Sequence, residues 1–157
     1  MSAPETIART KTVLELFLDA CDGGDLELVR NLLRCGADVN WQDNERELQT
    51  GLHLAVLEKR EDVVDLLLAQ PGIEVNIRDS CNDTPLMYAC YAETEVILRK
   101  LLQTKGIDIN CRCFLGLTPL LKCLRDKREE LVKILLNDPR LDLNVQHFGK
   151  FPEDIAR

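Results

Sequence analysis

The sequence predicts an all-α repeat solenoid, a stack of short helix pairs joined by turns. Three observations carry that prediction. Four phrases align along the chain, Gly36-Ala37-Asp38-Val39-Asn40, Gly72-Ile73-Glu74-Val75-Asn76, Gly106-Ile107-Asp108-Ile109-Asn110 and Arg140-Leu141-Asp142-Leu143-Asn144, and their closing asparagines fall 36, 34 and 34 residues apart. A fixed period of this length marks a chain that repeats one small unit. Ahead of these phrases run apolar stripes at helical spacing: Leu28, Val29, Leu32 and Leu33; Val63, Val64, Leu66, Leu67 and Leu68; Val96, Ile97, Leu98, Leu101 and Leu102; Leu131, Val132, Ile134, Leu135 and Leu136. Finally, Thr84-Pro85-Leu86 and Thr118-Pro119-Leu120 read as helix starts, with threonine capping orphan amides and proline at a position that has no amide to lose.

The elements follow in order. Residues 1–12 are an N-terminal tail, and Val13 to Leu18 begins the first helix of unit 13–40. The second, third and fourth units are 41–76, 77–110 and 111–144, and a partial unit covers 145–157. Units three and four open on turns that carry Asn82 and Gly116, residue types that accept a left-handed backbone. Each has a first helix with small residues on it (Ala89, Cys90, Cys123), followed by a second helix that carries the apolar stripe. A single pair cannot bury its stripe alone, so the units must stack.

The units resemble ankyrin repeats. The resemblance rests on Thr84-Pro85-Leu86, Thr118-Pro119-Leu120, Thr50-Gly51-Leu52-His53 and the four asparagine-terminated phrases, and it covers residues 13–157. It implies an L-shaped unit, a β-hairpin finger followed by two antiparallel helices, with fingers and first helices lining the concave side of a curved slab. There are departures. Val13 to Leu18 stands where a Thr-Pro phrase belongs, so the first unit reads as a cap. Gly51 replaces proline, and the turn from Asp43 to Gln49 is two residues longer than that from Asp79 to Asp83, predicting a longer or bulged finger. The family's histidine survives as His53, a structural residue of the turn. The last unit opens a first helix and has no second one, as expected either of a piece of a longer parent chain, the favoured reading, or of an incomplete terminal cap.

Composition bounds the chemistry. Of 157 residues, 45% are apolar and 30% charged, and the net charge is −7 without any basic run, which argues against binding to a nucleic-acid backbone. No apolar stretch reaches membrane-spanning length, and Met1 to Thr12 has no apolar signal core. The odd count of seven cysteines points to a reducing compartment, the cytoplasm or the nucleus. No catalytic constellation emerges, and no cofactor is implied. Cys21-Asp22-Gly23-Gly24-Asp25 is a turn between helices with acidic flanks that would repel phosphate. Cys111-Arg112-Cys113, even with Cys81 and His147 brought near, lacks the four-ligand spacing of a zinc site. Cys21, Cys90 and Cys123 read as core packing. Cys81 and Cys113 read as exposed finger thiols, with Arg112 placed to lower a neighbouring thiol's pKa.

The expected activity is therefore non-enzymatic binding of a protein or peptide. In ankyrin-like stacks the finger tips and the exposed side of the first helix vary freely. Carried over residue by residue, this marks Tyr88, Tyr91, Arg112, Phe114, Leu115, Leu117, Lys122 and Arg125 as partner-binding, with Phe148 extending the patch from the next finger. Phe114-Leu115-Gly116-Leu117 places three large apolar groups at one finger, the composition of an interface hot spot. Trp41, at the start of the second finger, fits either interface or inter-unit packing. Two other readings belong to the same fold: a ligand-sensing or targeting domain of a larger enzyme (a ubiquitin ligase subunit or a nucleic-acid-processing enzyme), with Tyr88, Tyr91, Lys122 and Arg125 facing a nucleotide-like ligand, and a small free-standing kinase inhibitor. Asn40, Asn76, Asn110 and Asn144 each follow a leucine by eight residues and an acidic residue by two, which resembles the pattern used by the asparaginyl hydroxylase that modifies ankyrin repeats.

Overall fold

The computed structural model describes residues 11–144. Among these, eight helices follow one another: α1 (Val13–Gly23), α2 (Leu26–Arg34), α3 (Gly51–Leu57), α4 (Glu61–Leu68), α5 (Pro85–Ala92), α6 (Glu95–Gln103), α7 (Pro119–Arg125) and α8 (Glu129–Leu136). They form two rows. In the inner row α1 packs on α3, α3 on α5 and α5 on α7, and in the outer row α2, α4, α6 and α8 do the same. Each inner helix also packs on the outer helix that follows it. The stripes read from the sequence are the faces buried between these rows, with Val29, Val63, Val64, Leu67, Ile97, Leu98, Leu101, Leu131, Ile134 and Leu135 in one continuous core. Partial unit 145–157 lies outside the described residues.

Local capping explains where the inner helices begin. Thr12 and Thr50 head reciprocal capping boxes with Glu15 and His53, and Thr118 accepts the Leu121 amide. Thr84 departs from the expected pattern: its hydroxyl leaves the cap and lies 3.2 Å from the Cys111 sulfur of the next unit.

Gly51 has a specific cause. A Cβ at this position would sit 2.8 Å from Cys21 Sγ and 3.0 Å from Phe17 Cε1, so α1 packs directly on the start of α3. Glycine stands here because the neighbouring helix occupies the space a side chain would need.

The fingers differ from the β-hairpins that the resemblance implies. Among the described residues they are turns, with one isolated bridge between Asp43 and Gln49 and no named strand. The loops are too short for a ladder. The third closes through Asp79 N–H to Asp83 O (3.0 Å) and the fourth through Cys113 N–H to Leu117 O (3.0 Å), and Asn82 and Gly116 take the left-handed backbone inside them. The second finger is indeed longer, and its extra length is accommodated by two consecutive residues at positive φ, Glu47 and Leu48. Neighbouring fingers are tied by single backbone bonds, Ser80 N–H to Glu47 O and Phe114 N–H to Cys81 O, each 2.8 Å.

The asparagines knit the units from the opposite edge. The Asn40 amide donates to Gly72 O (2.8 Å) while its oxygen accepts the Glu74 amide (2.9 Å). Asn76 repeats this with Gly106 and Asp108, and Asn110 with Arg140 and Asp142. Each side chain thus bonds the next unit's turn. Hydroxylation at these positions would act on a side chain already engaged at both ends. For Asn144 the bond among described residues is its own amide to Asp142 Oδ1 (2.8 Å).

Candidate functional site: the finger row and inner helices

Three fingers line up above α3, α5 and α7, and the row is held from below by a polar network. His53 is fully buried, with Nδ1 accepting the Thr50 amide (3.1 Å) and Nε2 facing the Asp83 carbonyl of the next unit (3.2 Å). A neutral ring with Nδ1 as acceptor and Nε2–H as donor satisfies both contacts, and burial lowers its pKa to about 4. His53 is therefore a structural link between units.

Tyr88 lies beside it, ring against ring at 5.0 Å. Its hydroxyl donates to Asp79 Oδ2 (2.8 Å) and accepts from Gln49 Nε2 (2.7 Å), and only 6% of the residue is exposed. The opposite oxygen of Asp79 holds its own finger in shape by accepting the Cys81 and Asp83 amides at 2.9 and 2.8 Å. Tyr91 packs edge-on to Tyr88 at 5.8 Å and carries the Lys122 ammonium over its ring at 4.7 Å. Lys122 also pairs with Asp126, which Arg125 joins at 3.0 Å. Arg125 and Arg112 are exposed, and the Arg112 carbonyl accepts from Arg78 and Asn82, each at 2.8 Å.

Above this layer the fourth finger presents Phe114 with 84% of its surface exposed and Leu115 with 58%. Leu117 corrects the sequence expectation. It is 2% exposed and packs with Met87, Cys111, Cys113 and Leu121 beneath the finger. The left-handed turn at Gly116 and the closing bond to Cys113 direct it inward, so two apolar residues, rather than three, face solvent. Tyr88 is likewise part of the floor. Phe148 lies outside the described residues.

The cysteines divide differently from the sequence reading. Cys113 is buried, leaving Cys81 and Cys35 exposed among the described thiols. Arg112 does not activate its neighbour: burial raises the Cys111 thiol to about 11. Cys81 is also raised, first by the bulk around it and then by Asp79, with Glu47 and Asp83 adding to the effect. Among the described residues no group of three or more His, Cys, Asp or Glu side chains is arranged to hold a metal ion. No helix of the described residues is long and apolar enough to cross a membrane.

Sequence reasoning missed Glu47. It sits in the two-residue extension of the second finger, and that extension was the available signal. The Glu47 carbonyl meets the Ser80 amide through two consecutive residues at positive φ, a path that composition does not reveal.

A stack of helix pairs with an exposed finger row defines a repeat module whose chemistry is that of a surface. The family pattern described as Ankyrin repeats (3 copies) matches residues 16–113 and again 52–147, and the chain belongs to this family. It is 40% identical over 77 residues to the human (Homo sapiens) 2-5A-dependent ribonuclease, a stretch that is 49% of this chain and 10% of that protein. It is 38% identical over 71 residues to Rabankyrin-5 of Mus musculus, covering 45% of this chain and 6% of the relative. It is 40% identical over 75 residues to the Caenorhabditis elegans Ankyrin repeat and KH domain-containing protein mask-1, covering 47% of this chain and 3% of that protein. The chain thus spans a tenth or less of these relatives' length.

Proposed function

We propose that this chain is a non-catalytic interaction module that grips a protein or peptide along its finger row and inner helices. Phe114 and Leu115 are the anchors, with Tyr91, Arg112, Lys122 and Arg125 around them. The observation that carries the reading is the exposure of Phe114. An aromatic ring with 84% of its surface exposed, beside exposed Leu115 on a finger fixed by backbone bonds, has the character of an interface anchor. A ligand-sensing role fits less well, because the polar ends of Tyr88 and Lys122 are already bonded within the protein. The free thiols favour a reducing compartment, cytoplasm or nucleus. Hydroxylation of Asn40, Asn76, Asn110 or Asn144 is a further proposal, checked by intact mass after exposure to an asparaginyl hydroxylase.

The test is affinity capture with the wild-type chain and the Phe114→Ser/Leu115→Ser variant, with captured proteins quantified by mass spectrometry. Loss of two anchor residues corresponds to about 2 kcal/mol or more each, roughly 30-fold in affinity for one. A partner depleted to that degree, with the variant's melting unchanged, supports the reading. Identical captures refute it.

A further inference from the structure

The inner helices carry an ordered chemistry along the stack. Gly24, Lys59, Glu93 and Lys127 each take a left-handed backbone in the turn between an inner helix and its outer partner, and so mark one register position in the four units. Two residues before each of them stand Asp22 on α1, Leu57 on α3, Tyr91 on α5 and Arg125 on α7. All four are exposed or half-buried. Five residues before stand Asp19, Leu54, Tyr88 and Lys122. Both rows run from acidic through apolar and aromatic to basic. Successive inner helices pack side by side, so this order in register is an order in space. The last step is seen directly, with the Lys122 ammonium over the Tyr91 ring at 4.7 Å.

Internal ion pairs leave the order in place. At the basic end Lys122 and Arg125 share one carboxylate, Asp126. At the acidic end Asp19 holds Lys11 and Arg46, but Arg46 also reaches Asp43, and Glu15 and Glu45 line the same hollow. Whole units follow suit. Residues 13–76 carry fourteen Asp and Glu against five Lys and Arg, whereas residues 111–144 carry five against seven. Charges of one sign gathered at each end set up a potential along the groove.

Resting on the interaction reading above, we infer that the partner is an extended peptide segment with opposite charges at its two ends. A lysine or arginine lies over Asp19 and Asp22, apolar side chains lie over Leu57 and Tyr91, and an aspartate or glutamate meets Lys122 and Arg125 beside the Phe114 and Leu115 anchors. The length comes from geometry. Packed helices lie about 8–10 Å apart and an extended chain rises about 3.3 Å per residue, so each inner helix corresponds to about three residues of the segment. The three steps from α1 to α7 then take about nine. A wholly basic segment would meet Lys122 and Arg125, and a wholly acidic one would meet Asp19 and Asp22. Like charges face each other in either case, which disfavours both.

The test is an array of end-blocked peptides of about nine residues, with Leu or Phe at the centre and Lys/Glu, Glu/Lys, Lys/Lys, Glu/Glu or Gln/Gln at the two ends. Both mixed orders are included so that either chain direction along the groove is sampled. The array is screened with the wild-type chain and with Arg125→Glu, Asp22→Lys and Phe114→Ser/Leu115→Ser variants, each checked for unchanged melting. Wild type should favour a mixed-charge order over the other three classes, by roughly two- to fivefold for each matched charge. Arg125→Glu should move the preference to Lys/Lys peptides, and Asp22→Lys should move it to Glu/Glu peptides. A change that only loosened the fold would weaken every class alike, so these reversals report on charge order. Preferences that both variants leave unchanged overturn the inference, as does a wild-type preference for Lys/Lys or Glu/Glu. Enrichment of apolar peptides that need Phe114 and Leu115 whatever their end charges overturns it too, and leaves the interaction reading standing. Mixed-charge peptides that bind the Phe114→Ser/Leu115→Ser variant as tightly as wild type overturn the anchors and the reading built on them. An array that enriches nothing overturns the inference, while the affinity capture above decides the interaction reading separately.

Discussion

Asn76→Ala offers the sharpest test of how the stack is held together. The Asn76 side chain makes two bonds to the next unit, donating to Gly106 O at 2.8 Å and accepting from Asp108 N–H at 2.9 Å. A typical intramolecular hydrogen bond contributes about 1 kcal/mol net. Gly106 and Asp108 are exposed, so water can partly replace the lost partners, and the expected cost is about 1–2 kcal/mol. In a chain of this size each kcal/mol shifts Tm by about 2–4 °C, so the variant should melt about 2–8 °C lower. Because stacked units are stabilised by nearest-neighbour interfaces, the loss should be local. Urea titration supplies the free energy, and hydrogen exchange supplies the location: the Asp108 amide should exchange faster, while amides in α3 should change little. Asn44→Ala, at an exposed position on the second finger, serves as the control. If Asn76→Ala matches Asn44→Ala within about 0.3 kcal/mol, below the size of one such bond, and Asp108 exchange is unchanged, the asparagines do not couple the units.

Two more outcomes follow from buried groups. His53 has a folded pKa of about 4 against an ordinary 6.5, so on acidification the unfolded chain takes up a proton before the folded one does. The neutral ring therefore contributes stability above pH 6.5 that is lost progressively as pH falls from 6.5 to 4, up to about 3 kcal/mol. Tm measured across that window should fall less steeply for His53→Gln than for wild type, and equal slopes would contradict the assignment. Gly51→Ala should destabilise by about 1–3 kcal/mol, because its Cβ would meet Cys21 Sγ at 2.8 Å in a packed core, which outweighs the helix-propensity gain of about 1 kcal/mol. A denaturant midpoint at or above that of wild type would show that α1 yields freely.

The sequence made the helices legible because their signals are local. Apolar spacing of three and four residues, Thr-Pro starts and a repeated asparagine phrase each report on one turn or one helix, and stacking is the single arrangement that buries all the stripes. The finger residues were harder, because the direction of a side chain in a five-residue turn depends on its dihedrals. Phe114 and Leu115 emerge outward, as composition suggested, whereas Leu117 and Cys113, also on that finger, point inward. Tyr88 and Tyr91 look equivalent in the sequence, three residues apart on α5. One is sealed between Asp79 and Gln49, and the other stays half-buried at the edge. Glu47 gained its place beside Ser80 from an insertion whose backbone path no periodicity describes.

Among the described residues, most of the buried polar residues gather at the bases of the fingers, Thr94 at the start of α6 being apart from them. Thr50, His53, Asp79, Asp83, Thr84 and Thr118 are all there. Hydrogen bonds in this layer fix the turns before any partner arrives: His53 reaches across to Asp83 O, and Asp79 Oδ1 holds the Cys81 and Asp83 amides. The tips can then carry residues that would destabilise a mobile loop, an exposed phenylalanine among them, because the main chain beneath does not depend on those side chains. Rigid tips also lower the ordering entropy lost on association. Changes at the bases should consequently alter fold and binding together, whereas changes at Phe114 or Leu115 should alter binding alone. That separation lets one stacked scaffold serve different partners through substitutions confined to a few exposed positions.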